Sequence, residues 1–127
     1  MRVTQRKGDI GVSQAIATFT KLGFDVSIPL TESAHYDLII DTGSNLKRVQ
    51  VRYTSKKDVD LRRIHSNSLG YVVKKSLENT YDWLYVYKPN GEEYLFLNCL
   101  HGRRGIRPME KDLFANVIYE NKIRSEL

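Results

Sequence analysis

The sequence predicts a single α+β domain, residues 1–127, in which a mixed or antiparallel β-sheet is flanked by helices and carries a basic β-ribbon. Three observations predict it. Apolar residues recur at intervals of three and four near both ends of the chain, and at intervals of two in its middle. The alternating segments are joined by hairpin-type turns. With 127 residues, 41% of them hydrophobic, the chain supports one ordinary core, and two domains would be cramped.

From Gly11 to Leu22, the residues Val12, Ala15, Ile16, Phe19 and Leu22 form an apolar stripe, so an amphipathic helix is expected there, stopped by Gly23. Val12 then points inward. Phe24 to Leu30 reads as a strand ended by Pro29, and Thr31 to Ala34 as a polar link. The segment His35 to Asp41 is short and β-branched in its second half, with a turn marked by Gly43, Ser44 and Asn45. In Leu46 to Thr54 the apolar Val49, Val51 and Tyr53 share one face, while Arg48, Gln50, Arg52 and Thr54 share the other. Next, Val59 to Ile64 and Tyr71 to Lys75 read as two strands around a polar loop, His65 to Gly70. Trp83 to Lys88 and Glu93 to Asn98 flank Asn90-Gly91, a strong hairpin signal, and their aromatic residues are assigned to the core. Pro108 suits a helix start, with Met109, Leu113, Phe114, Val117 and Ile118 on its apolar face, and polar Glu120 to Leu127 is expected to fray. There is no internal repeat or low-complexity tract.

The chemistry lies in the two middle strands. A hairpin brings Asp37 near Gln50, and Gln50 and Arg52 stand about 6.6 Å apart along their strand at ~3.3 Å per residue. One carboxylate, one neutral oxygen and one cation converging at a point is how a protein holds Mg²⁺ against a phosphodiester and neutralises the charge that develops there. A metal-dependent nuclease is therefore expected.

Lys7-Gly8-Asp9-Ile10-Gly11, the strand Tyr36-Asp37-Leu38-Ile39-Ile40 and Arg48-Val49-Gln50-Val51-Arg52 together resemble the PD-(D/E)XK nuclease superfamily, and within it the small intron-encoded homing endonucleases of bacteria. Roughly the first 55 residues are covered closely, the rest only in general shape. The resemblance implies a restriction-endonuclease-like core. It also implies that Asp37, the Gln50 side chain and the main-chain carbonyl of Val51 ligate Mg²⁺, with Mn²⁺ able to substitute. Two positions depart from the pattern. Relatives usually carry a glutamate after the glycine, where this chain has Val12, and Asp9 is the available replacement. The last motif position is normally lysine and here is Arg52, which can stabilise charge but stays protonated above pH 12 and is a poor base. The catalytic set expected from the resemblance is Asp37, Gln50, Arg52 and Asp9.

Net charge is +5 and the isoelectric point about 9.3. Between residues 47 and 75, Lys47, Arg48, Arg52, Lys56, Lys57, Arg62, Arg63, Lys74 and Lys75 face only Asp58 and Asp60, so this stretch holds the whole surplus. Such concentration is the footprint of a surface that tracks phosphates. The ribbon carrying Arg62, Arg63, Lys74 and Lys75, with His65, Ser66, Asn67 and Ser68 at its loop, has a shape that enters a DNA major groove. Arg103, Arg104 and Arg107, spaced by glycines, form a second candidate DNA-contact loop. Arg48, Lys56 and Lys57 complete the expected DNA-contact set.

Cys99 is the only cysteine, which excludes an intramolecular disulfide and a thiolate zinc site and fits a reducing cytoplasm. His35, His65 and His101 are too dispersed for a local zinc cluster, although His35 shares a strand face with Asp37. No phosphate-cradling or dinucleotide glycine motif occurs, and no stretch approaches a membrane span. The expectation is a cytoplasmic Mg²⁺-dependent endonuclease acting on double-stranded DNA as a homodimer or homotetramer, since cutting both strands takes two active sites. Two alternatives share the fold: a catalytically degenerate or inactivated DNA-binding protein, favoured by Val12 and Arg52, and a structure-selective Holliday-junction resolvase that reads DNA shape.

Overall fold

The computed structural model describes residues 3–31, 33–67, 70–74 and 79–123, with the side chains of 3–4, 63–67 and 70–74 outside that description. Helix α1, Val3–Lys21, starts eight residues before Gly11, where the apolar stripe predicts its start. Residues 5–10 are exposed, so burial periodicity does not mark them. Gly23, with φ of 90°, ends it as expected.

Five strands build the main sheet: β1 (Asp25–Ser27), β2 (Leu38–Asp41), β3 (Leu46–Tyr53), β7 (Trp83–Tyr87) and β8 (Glu93–Phe96), in the spatial order β1-β2-β3-β7-β8. All neighbours are antiparallel except β3 and β7, which run parallel, so the sheet is mixed. The chain between β3 and β7 holds β4 (Val59–Asp60), β5 (Arg63–Asn67) and β6 (Gly70–Lys74). Strands β5 and β6 form an antiparallel ribbon, Arg63 opposite Lys74 and Asn67 opposite Gly70. His65, Ser66 and Asn67 therefore lie in a strand and not in the expected loop; Ser68 and Lys75 fall outside the described residues. Val59 and Asp60 do not join the ribbon either. They pair with β9 (Gly105–Ile106), tying the 101–107 loop to the segment after the motif strand.

Apolar side chains pack on both faces of the sheet. One cluster joins Ala15 and Phe19 of α1 to Leu38, Ile40, Val49, Val51, Trp83 and Tyr85, with Phe114 and Val117 of α2 (Phe114–Glu120). The other gathers Val59, Leu61, Tyr81, Leu84, Val86, Tyr94, Phe96 and Leu100. Strand β7 is buried on both faces, which explains its unbroken apolar run. The C-terminal helix is shorter than expected: a 3₁₀ turn, Glu110–Asp112, precedes it, and Met109 is 61% exposed. Met109 does not belong to the apolar face, whereas Ile123, in the stretch expected to fray, packs against the core.

Helix α1 lies directly on the motif strand. A Cβ added at Gly11 would stand 3.1 Å from Val51 Cγ1 and 3.4 Å from Tyr53 Cβ. Only glycine permits that approach without displacement.

Candidate functional site

Alternation along β3 sends Val49 and Val51 into the core under α1 and leaves Gln50 and Arg52 on the opposite face. Asp37, just before β2, is fixed to β3 twice. Its N–H donates to the Val49 carbonyl, and its Oδ2 accepts from Val51 N–H, both at 2.8 Å. The expected meeting of Asp37 with the Gln50 strand is therefore present. Burial pushes the Asp37 carboxyl above the ordinary carboxylate range, and the Val51 N–H and the Arg52 charge offset this only in part.

Gln50 is buried, at 9% exposure. Its amide is assigned with the oxygen toward Arg52, because the reverse would set donors against donors. In that orientation Gln50 Oε1 accepts from Arg52 Nη1 at 3.1 Å and Nη2 at 3.0 Å. Arg52 Nη1 also donates to the Val51 carbonyl at 3.2 Å. One guanidinium thus engages the side-chain oxygen of Gln50 and the main-chain oxygen of Val51, beside the Asp37 carboxylate.

Asp37, Gln50 and Arg52 line an open cleft of about 350 Å³ with His35, Tyr36 and Arg62. Arg62 was expected on the ribbon, yet it points into the cleft. Asp60 fixes it there in a fork, accepting from Nε at 3.0 Å and from Nη2 at 2.8 Å. The Arg62 bond holds Asp60 down to a pKa of about 2, against the opposing effect of burial. The Asp-x-Arg spacing of Asp60 and Arg62 is the sequence signal for this fork.

The fit to a divalent cation rests on the donor set. Hard oxygens from Asp37, Gln50 and the Val51 carbonyl suit Mg²⁺ or Mn²⁺. Two of the three already converge on a positive group, the Arg52 guanidinium. The site is poor in charge: among the described residues, Asp37 is the only carboxylate lining the cleft, and no three His, Cys, Asp or Glu side chains cluster for metal binding.

The other expected residues are dispersed. Asp9 is exposed and lines a separate depression with Arg6, Ile10, Ser13 and Gln14. The structure does not bring it to Asp37. Val12 is half-buried and packs against the core cluster under the sheet. Arg48 is paired with Asp82, which accepts from its backbone N–H at 2.8 Å, from Nε at 3.2 Å and from Nη2 at 3.3 Å. Burial pushes the Asp82 carboxyl up, but the Arg48 bonds outweigh it and hold it below the ordinary range. Arg107 Nε donates to Asp58 at 2.9 Å across the β4–β9 junction. Lys56, Lys57, Arg103 and Arg104 are exposed. The side chains of Arg63, His65, Ser66, Asn67 and Lys74 lie outside the described residues.

The sequence profile of the PD-(D/E)XK endonuclease family matches residues 2–99, which span α1 through β8. In structure, the chain is similar to a bacterial homing endonuclease, I-Ssp6803I, with a TM-score of 0.72 and 29% identity, over 87% of this chain and 81% of that one. No curated protein matches the chain.

Proposed function

Because this chain belongs to the PD-(D/E)XK endonuclease family, we propose that it is a site-specific endonuclease of the homing type, hydrolysing phosphodiester bonds of double-stranded DNA with Mg²⁺. The observation that carries this reading is the convergence of Asp37, Gln50 and Arg52 in one cleft, with the Val51 carbonyl accepting from the same Arg52 guanidinium. Asp37 and Gln50, with the Val51 carbonyl, hold the ion, and Mn²⁺ can replace it. When bound, the ion supplies Lewis acidity toward the phosphate and toward an attacking water. Arg52 stabilises the charge that builds on the phosphate oxygens, and it takes no proton because its guanidinium does not discharge near neutral pH. Arg62, pinned by Asp60, orients a phosphate entering the same cleft.

Asp9 has no part in this scheme, because it is exposed in its own depression. The exposed Lys56, Lys57, Arg103 and Arg104, with the β5–β6 ribbon, track the DNA backbone. Residues 1–127 act as one catalytic domain, and two copies or a tetramer of them act on the two strands. The similarity to a homing endonuclease and a net charge of +5, which suits contact with DNA, support the same reading, and the bacterial cytoplasm or nucleoid is the place where such an enzyme would act.

Supercoiled plasmid carrying a target library, incubated with Mg²⁺ or Mn²⁺, tests the proposal beside an Asp37→Ala control. Nicking and linearisation at defined sites, lost on chelation and at least about a hundredfold weaker in the control, is the expected outcome, a loss equivalent to ~2.7 kcal/mol in the barrier. Absence of cutting together with a tight gel-shift in Ca²⁺ favours the second reading, a catalytically inert DNA-binding protein. Val12 in the acidic position and Arg52 on the metal oxygens are the observations on its side.

A further inference from the structure

We infer that Arg52 is a tethered counter-cation for the metal site: it occupies the Gln50 and Val51 oxygens in the free protein and yields them when a DNA phosphate draws the guanidinium away. The inference rests on the ligand assignment proposed above and adds a condition to it. Divalent-metal binding is self-suppressed without DNA and coupled to DNA binding.

The geometry is specific. Three donor contacts, at 3.0, 3.1 and 3.2 Å, run from one guanidinium to the two neutral oxygens proposed for the ion. A cation at those oxygens cannot coexist with the guanidinium, because both need the same lone pairs and repel each other. Nor can the site shed its occupant by deprotonation, since arginine stays charged under all ordinary conditions. Displacement requires a better partner for the fork, and a phosphate is one, offering two charged oxygens at matching spacing.

The cleft contains a reason for the exchange to be close to balanced. Asp37 contributes one negative charge to a lining that also contains Arg52 and Arg62, and with Asp60 offsetting Arg62 and Arg52 offsetting Asp37, a divalent ion entering the DNA-free cleft finds no net negative charge to hold it. Arg62 already has Asp60 as partner. Entry of a phosphodiester reverses the balance, because it brings negative charge to the cleft and an acceptor for Arg52 at once. Linkage then requires the reciprocal effect: metal strengthens DNA binding by the factor by which DNA strengthens metal binding.

The test is Mn²⁺ binding to the DNA-free full chain, read as loss of the free-ion electron paramagnetic resonance signal. Wild type, Arg52→Met, Arg52→Lys and the double variant Arg52→Met with Asp37→Ala are compared, each checked for folding by its thermal transition. Arg52→Met is expected to bind Mn²⁺ about tenfold or more tighter than wild type, within the usual range of coupling between sites. Arg52→Lys, which keeps the charge and loses the fork, is expected to fall between them. Addition of a random-sequence duplex tightens Mn²⁺ binding to wild type several-fold and changes the Met variant little. Equal or weaker Mn²⁺ binding by Arg52→Met, with that binding still lost in the double variant, overturns the counter-cation role while leaving the ligand assignment standing. Mn²⁺ binding indifferent to Asp37→Ala, or none in any variant, overturns the ligand assignment and this inference with it.

Discussion

Two glycines of α1 provide a paired test of how the helix seats the motif strand. Gly8 and Gly11 both lie inside Val3–Lys21, and replacing either with alanine removes the same backbone penalty, about 1 kcal/mol in a helix interior. Their surroundings differ. A Cβ at Gly8 meets nothing within 4 Å, so Gly8→Ala is expected to stabilise the fold by about 1 kcal/mol. A Cβ at Gly11 meets Val51 Cγ1 at 3.1 Å and Tyr53 Cβ at 3.4 Å, short of the ~3.5–4.0 Å optimum for carbon pairs. Overpacking of this kind costs about 1–3 kcal/mol, so Gly11→Ala comes out roughly 0–2 kcal/mol destabilised after the helix gain. The two variants should therefore differ by about 1–3 kcal/mol in urea unfolding, or several degrees in Tm. The strain falls on Val51, whose carbonyl faces Arg52, so Gly11→Ala should also lower cleavage while Gly8→Ala leaves it intact. Equal stabilisation by both variants would refute the close seating of α1 on β3.

Phe19 is fully buried, with the rings of Phe24, Trp83, Tyr85 and Phe114 centred 5.3–6.3 Å away, so Phe19→Ala should cost about 3–5 kcal/mol in equilibrium unfolding. A loss below ~1 kcal/mol would show that the aromatic cluster does not hold α1 to the sheet. The Asp60–Arg62 pair gives a pH signature: with a folded pKa of about 2 against the ordinary 3.8, its stabilisation is complete above 3.8 and lost as pH falls through about 2. Because the Asp60 side chain is 52% exposed, the stability at stake is no more than about 1 kcal/mol. Carboxyl NMR titration should show the Asp60 pKa returning toward 3.8 in Arg62→Ala, and an unchanged value would mean that the fork is absent in solution.

Local patterns carried the parts of the fold that were legible. The alternation in Leu46 to Tyr53 and the turn at Gly43 fix which side chains share a face, so the approach of Asp37 to the Gln50 strand could be read from sequence. Asn90-Gly91 likewise fixes β7 against β8. Long-range pairing was not legible. Strand β4 finds β9 some forty-five residues later, and Arg48 finds Asp82, because of where the sheet delivers them and not because of any local signal. Sequence spacing makes Asp9 a stand-in for the missing acid because it lies one turn before Val12. At about 100° per residue the two sit roughly 60° apart around the helix, enough to leave Asp9 exposed while Val12 packs on the core. Gly11 carried a motif likeness, but its contact with Val51 needs coordinates.

The two departures from the family pattern are physically consistent with each other. A carboxylate at position 12 would be half-buried and would need a cation facing it to offset its desolvation. Valine removes that charge and packs on the core instead. Among the described residues the cleft is then left with Asp37 as its one carboxylate, and a single guanidinium suffices to balance it. Arginine serves that purpose better than lysine, because its fork reaches Gln50 Oε1 through two nitrogens and the Val51 carbonyl through one of the same pair. Arg62 is balanced in the same way by Asp60. Each cation in the cleft is thus already matched inside the protein, so a phosphate must exchange partners to bind there. That exchange favours a ligand presenting two oxygens in one plane and disfavours simple anions that offer only charge.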